Sequence, residues 1–144
     1  MNFDVIIVGA GMSGTFMSSL LREKKKNVLI LEKSSGIGGR FSTKPIGSQI
    51  VDYGCQYIKP KTTTSGHLAS KLKNIGLLSE INLDTNKRVF IAPFGMNKIP
   101  QYFSRNTRVL SNTLVKRISH KKTGWEVLTH VGSFSSSSLV LTMP

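Results

Sequence analysis

FDVIIVGAGMSGTFMSSLLREKKKNVLILE, residues Phe3–Glu32, is the stretch that decides the fold. The apolar, β-branched run Phe3–Val8 is bounded by glycine and reads as a buried strand. Met12, Phe16, Met17, Leu20 and Leu21 then recur on one helical face, which predicts a helix packed through those side chains. Lys24, Lys25, Lys26 and Asn27 suit a helix C-terminus. Val28–Glu32 is a second strand. Strand, helix and strand in about thirty residues make a βαβ unit, with a right-handed crossover expected.

The turn inside this unit, Gly9-x-Gly11-x-x-Gly14, sits after a strand and opens a helix. The three glycines meet separate steric demands. Gly9 allows the tight turn, Gly11 lets backbone approach a pyrophosphate, and Gly14 lets the helix pack close to the strand. The helix N-terminus adds unpaired N–H groups and partial positive charge. Glu32 ends the second strand 18 residues after Gly14, followed by Lys33. A carboxylate there can accept both ribose hydroxyls of an adenosine and would repel a 2′-phosphate, which disfavours NADP as the resident nucleotide.

Downstream, Ser34–Thr43 is a glycine-rich loop, Gln49–Ile58 is strand-like with a turn at Gly54, and residues 59–66 read as a polar loop. Leu68, Leu72 and Ile75 predict a short helix ended by Gly76, and Arg88–Pro93 a strand. A short helix is expected near Asn97–Phe103, interrupted by Pro100. Strands follow at Arg108–Ser111, Thr113–Ser119 and Trp125–Val131, with a hairpin turn at Lys121–Gly124. The four serines Ser135–Ser138 read as loop before a last strand, Leu139–Pro144. The expected class is α/β: a Rossmann-like βαβ dinucleotide-binding domain, parallel sheet plus antiparallel hairpin, in a single domain over residues 1–144.

The chain has 144 residues, too few for most complete flavin or nicotinamide enzymes that need a second domain. No apolar run approaches a membrane span, and Phe3–Val8 lacks the basic flank of a secretory leader. The single cysteine, Cys55, excludes an internal disulfide and a Cys-based zinc site, and a cytoplasmic location is expected, with secretion by a non-signal route left open. The net charge of +13 is segregated, since residues 59–122 hold thirteen Lys/Arg against two Asp/Glu. That excess permits nucleic-acid binding, but no aromatic-interleaved basic stripe accompanies it, so neither nucleic acid nor membrane is an expected partner. His67, His120 and His130 lack metal-ligand spacing and read as surface or turn residues, and no metal is expected. Cys55 reads as a small buried residue, Trp125 as strand-face packing, and Asp52 as a turn former before Gly54.

Two further elements, Gly38-Gly39-Arg40 and Asp52-Tyr53-Gly54, follow the acid in order. Together with the glycine motif they resemble the FAD-dependent oxidoreductases of the amine-oxidase type. Asp52–Ile58, Val89–Phe103, Gly124–Val127 and the final Leu-Val-Leu-Thr-Met-Pro narrow the resemblance to the renalases. Cys55 departs from that pattern where alanine is usual, as do Ser135–Ser138 where an acidic residue commonly precedes the last strand. The resemblance implies FAD as cofactor. It places Gly9, Ala10, Gly11, Met12, Ser13 and Gly14 around the pyrophosphate and Glu32 on the adenosine ribose, with Lys33 beside it. It places Gly39 and Arg40 on phosphate and the flavin side, and Gln56 and Tyr57 near the isoalloxazine. Val115 is implied to pair through its backbone with the adenine edge, and Thr142 to lie near the adenosine. The implied reaction is oxidation of dihydro isomers of NAD(P)H by O2, giving NAD(P)+ and hydrogen peroxide, with no acid–base residue named. It also implies an N-terminal portion of a longer fold, with the substrate domain absent and little turnover in these residues alone. An amine oxidase and a nucleotide-binding protein without turnover stay open, and no oligomeric state is implied.

Overall fold

In chain order the elements are β1 (Asn2–Val8), α1 (Met12–Glu23), β2 (Val28–Leu31), β3 (Thr43–Ile46), β4 (Gln49–Asp52), α2 (Thr63–Asn74), β5 (Ser79–Leu83), β6 (Lys87–Ile91), α3 (Lys98–Ser104), β7 (Arg108–Leu110), β8 (Val115–Lys121), β9 (Gly124–Thr129) and β10 (Gly132–Leu141). The structure is a computed structural model and describes residues 2–83 and 87–143. Two compact units form, one from the chain up to Gly39 and from Pro100 onward, the other from Arg40–Ile99.

The first unit carries a six-stranded sheet in the order β7-β2-β1-β10-β9-β8. β7, β2, β1 and β10 run parallel, and β10, β9 and β8 are antiparallel. β1 from Val5 to Val8 and the whole of β2 are apolar because both their faces are covered there. Val5, Ile7, Ala10, Val28 and Ile30 form one buried cluster, joined by Leu21 of α1. Phe3, Ile6, Val8, Leu29, Leu31 and Val127 form the other. Each fully buried aliphatic side chain of this kind contributes about 1.5–3 kcal/mol relative to exposure.

α1 packs only in part as its apolar periodicity predicts: Leu21 joins the sheet cluster and Phe16 meets Phe103 edge-on, but these are not its most buried positions. Its buried residues are Gly14, Thr15 and Ser18, while Met17 and Leu20 stay 39% and 40% exposed. Small side chains win this face because close approach to the sheet is what packs it. The polar ones are satisfied within the helix: Thr15 Oγ1 donates to Gly11 C=O at 2.9 Å and Ser18 Oγ to Thr15 C=O at 2.7 Å.

The serines Ser135–Ser138 are not loop but the middle of β10. Ser135 pairs with Asn2 on one side and Glu126 on the other, and Ser136 with Phe3 and Trp125. Backbone ladders on both sides override weak strand propensity. The two-residue turn between β8 and β9 falls where the sequence places it. Strand pairing ends at Leu141, and Pro144, the last residue of the expected final strand, lies outside the described residues. Pro100 does not interrupt α3. It lies in the first turn, whose N–H groups have no helical partner anyway.

In the second unit the strand expected over Gln49–Ile58 stops at Asp52 and pairs antiparallel with β3, which the sequence does not announce. β5 is likewise unannounced and pairs antiparallel with β6. The second half of the loop expected over residues 59–66 is helix, since α2 begins at Thr63. Thr62 is its N-cap: Ser65 N–H donates to Thr62 Oγ1 at 3.2 Å and Thr62 N–H donates to Ser65 Oγ at 3.0 Å, a capping box with serine in place of the usual acid or amide. Of the predicted face of α2, Leu72 is buried and Ile75 is exposed.

Glu80 on β5 joins Lys73 of α2 at 2.7 Å and Arg88 of β6. Hydrogen bonds from Arg88 and then Lys73 hold its pKa down at about 2, against an ordinary 4.5. A depressed folded-state pKa contributes stability above the unfolded value that is lost as pH falls toward the folded one. Glu80→Gln should therefore lower the urea midpoint at neutral pH, and the gap to wild type should close between about pH 4.5 and 2. A gap that is constant across that range would remove Glu80 as its source. No helix among the described residues is long and apolar enough to cross a membrane.

Candidate dinucleotide-binding site

The site is built at the end of β1, in the first unit. Gly9 takes φ +107°, a conformation that favours glycine, and a Cβ there would stand 2.7 Å from Thr142 Oγ1. Its N–H donates to Leu31 C=O at 2.8 Å, tying the turn to β2. A Cβ on Gly14 would overlap the Gly9 carbonyl oxygen and lie 3.2 Å from Ile7 Cγ2, the close helix–strand approach that this glycine permits.

Gly11 differs from both. Its backbone is extended (φ −77°, ψ −177°), and a Cβ there would find nothing nearer than Gly39 Cα at 4.0 Å. The protein itself does not require glycine at this position, so the open space beside its backbone is what a ligand can use. Met12 and Ser13 are the first two residues of α1, and Thr15 N–H makes the first helical bond, to Gly11 C=O at 3.0 Å.

Glu32 is 8% exposed, and both its oxygens are engaged by backbone. Ala10 N–H donates to Oε2 at 2.7 Å and Ser34 N–H donates to Oε1 at 2.8 Å. Each carboxylate oxygen keeps a second acceptor position for a hydroxyl. Thr113 N–H donates to Glu32 C=O at 2.7 Å and Asn112 N–H to Ser34 C=O at 2.9 Å, so residues 112 and 113 line the same strand end. Lys33 is exposed beside it.

Gly38 N–H donates to Ala10 C=O at 3.0 Å, and Gly39 (φ +55°) approaches Gly11 so closely that a Cβ on it would stand 3.2 Å from Gly11 Cα. The second glycine motif thus docks backbone-to-backbone on the first. Gly38 and Ser34 hold the site without being singled out as site residues from sequence, although Gly38 is the first residue of the Gly-Gly-Arg run. Thr142, just beyond β10, donates its hydroxyl to Val8 C=O at 2.9 Å and Gly9 C=O at 3.2 Å.

Val115 opens β8 at the sheet edge, where its side chain packs on the Phe3–Val127 cluster. Arg40, Gln56 and Tyr57 belong to the second unit and are exposed. Arg40 C=O accepts from Cys55 N–H at 2.7 Å, and a Cβ on Gly54 would overlap that same carbonyl. Asp52 is more than a turn former: its Oδ1 accepts from Thr43 Oγ1 and from Met96 N–H at 2.9 Å, tying the β3–β4 hairpin to the chain before α3. Burial pushes the Cys55 thiol up, with its Sγ donating to Tyr57 C=O at 3.1 Å. Trp125 packs edge-on against His120, and all three histidines are exposed. No group of three His, Cys, Asp or Glu suited to a metal occurs among the described residues.

Residues 7–73 match the family described as NAD(P)-binding Rossmann-like domain. Mouse (Mus musculus) renalase is 31% identical over 97% of this chain and 46% of its own length. Horse (Equus caballus) flavin-containing amine oxidase A is 33% identical over 60% of this chain and 16% of its own length. The chain thus spans less than half of either relative. Among solved structures, putrescine oxidase bound to putrescine superposes with a TM-score of 0.81 at 15% identity, over 100% of this chain and 58% of that one. A fatty acid isomerase from P. acnes does so at 0.76 and 12%, over 99% and 59%. These two show the fold alone, one that hosts different chemistries. With a glycine turn, a strand-end acid and a Gly-Gly-Arg run in order, the chain is similar in sequence to renalase and to the flavin-containing amine oxidases, and it has their Rossmann-like fold.

Proposed function

We propose that this chain is the N-terminal part of an FAD-binding domain and binds the adenosine and pyrophosphate half of FAD at the Gly9–Gly14 turn. The observation that carries the reading is the open space at Gly11, which nothing in the protein explains, next to the N-terminus of α1 and the Glu32 carboxylate. The turn leaves room for phosphate, the helix end supplies positive potential, and Glu32 can take ribose hydroxyls on its spare acceptor positions. Arg40, Gln56 and Tyr57 are assigned to the flavin side, and Val115 to the adenine edge, by the resemblance. FAD, when bound, supplies hydride acceptance and its return to O2 as hydrogen peroxide, and the reading takes dihydro isomers of NAD(P)H as the hydride donors. A cytoplasmic setting belongs to the same reading, carried by the single cysteine.

Gly11→Ala tests the site. Because a Cβ there meets nothing within the protein, melting should be unchanged while FAD affinity falls at least about tenfold, the methyl occupying phosphate space. Unaltered FAD affinity in the folded variant would move the site elsewhere. The amine oxidase relatives favour a second reading, in which the donor is an amine. Peroxide release measured with dihydro NAD(P)H isomers and with monoamines or putrescine separates the two, and FAD uptake with neither would leave a binding protein.

A further inference from the structure

The Gly9–Ala10 peptide is gripped at both ends. In a trans peptide the C=O and the following N–H point opposite ways. Here the Gly9 C=O accepts from Thr142 Oγ1 at 3.2 Å, and the Ala10 N–H donates to Glu32 Oε2 at 2.7 Å. One grip comes from beyond β10 and the other from the end of β2, the strands on either side of β1. The Thr142 hydroxyl has little freedom to be elsewhere. Its own N–H donates to Val8 C=O at 3.0 Å, and the hydroxyl shares its proton between the carbonyls of Val8 and Gly9. Space is closed around it as well, since a Cβ on Gly9 or Gly14 would come within 2.7 or 3.0 Å of the same oxygen.

We propose that Thr142 is a positioning residue for the dinucleotide: its hydroxyl sets the plane of the Gly9–Ala10 peptide, and through that plane the orientation of the backbone at Gly11. This rests on the FAD reading above but differs from a ligand contact, because Thr142 acts through Gly9. A peptide held by Glu32 alone can tilt about its remaining hydrogen bond. The backbone N–H groups that follow would then meet the pyrophosphate at varied angles, and hydrogen bonds weaken steeply away from linearity.

Thr142→Val removes the hydroxyl and keeps the shape, whereas Thr142→Ser keeps the hydroxyl. Both are compared with wild type at a temperature where circular dichroism shows all three folded. In the cofactor-free chain, amide exchange at Ala10 should quicken about tenfold in the valine variant relative to Ile6 and Ile7, which report opening of β1 as a whole. The serine variant should match wild type. FAD dissociation constants should follow the same pattern, rising about tenfold for valine and less than about twofold for serine. A residue that only stabilised the fold would shift melting and leave both readouts in place. A folded valine variant with unchanged Ala10 exchange and FAD affinity overturns the proposal, and so does a serine variant that loses as much as valine. Failure of the wild-type chain to take up FAD would overturn the cofactor reading instead, while the Ala10 exchange would still show whether the two-ended grip exists.

Discussion

Gly14→Ala should collapse the first unit's thermal transition, by about 10 °C or more. The added methyl would overlap the Gly9 carbonyl oxygen, with Thr142 Oγ1 at 3.0 Å and Ile7 Cγ2 at 3.2 Å closing the other sides. None of these is the free end of a flexible side chain, so relief requires α1 to lift from the sheet. Lifting it exposes Thr15 and Ser18 and opens space against Ile7 and Ile30, which are fully buried. Overpacking of a close-packed contact costs about 1–3 kcal/mol and more where backbone is the obstacle. In a chain of this size that corresponds to several degrees per kcal/mol. The control is Gly36→Ala, where a Cβ meets nothing within 4 Å, and it should leave melting in place. Equal melting of the two variants would show that α1 does not depend on this contact. The loss should appear without any nucleotide, which distinguishes it from Gly11→Ala.

Glu32→Gln should destabilise the cofactor-free protein by about 2–3 kcal/mol, before any effect on ligand. Both carboxylate oxygens accept backbone N–H groups, from Ala10 and Ser34, in an 8% exposed position. A glutamine has one acceptor oxygen and one NH2, so one backbone donor must face another donor. Leaving a buried donor unsatisfied costs about 1–3 kcal/mol, and the surviving bond loses its charge assistance. FAD affinity should then fall further than stability alone dictates, because a ribose hydroxyl would also lose an ionised acceptor. Denaturant unfolding of the cofactor-free variant reads the first effect and FAD titration of the folded variant the second. A glutamine variant as stable as wild type would show that the two backbone bonds contribute little.

Much of the site was legible from residues alone. The glycine spacing is a set of local steric demands, and the structure returns a distinct environment for each of Gly9, Gly11 and Gly14. The βαβ core was legible because strands buried on both faces must be apolar throughout, as Val28–Leu31 is. The packing face of α1 was legible only in part. Of the periodic apolar residues Leu21 and Phe16 find partners while Met17 and Leu20 stay exposed; closeness to the sheet selected the small residues Gly14, Thr15 and Ser18 for full burial, and size is invisible to a count of apolar positions. Similarly, the capping box at Thr62 uses Ser65, which lacks the acid or amide that marks such boxes in sequence.

What the sequence by itself determined is therefore whatever depends on neighbours along the chain: the strand–turn–helix–strand order, the positions of the glycines, the acid at the end of β2 and the hairpin turn before Gly124. What only the tertiary structure decided depends on strands distant in sequence lying side by side. Ser135 and Ser136 become strand because β1 and β9 supply ladders on both sides, and Ser138 because β1 pairs with it. Asp52 becomes a tie because Met96 is folded onto it, and Glu32 becomes a holder of the glycine turn as well as a candidate ribose acceptor. Thr142 meets Gly9 across 133 residues of chain for the same reason. A hydrogen bond of that kind leaves no periodicity or spacing in the sequence, since its geometry exists only once the parallel sheet has formed.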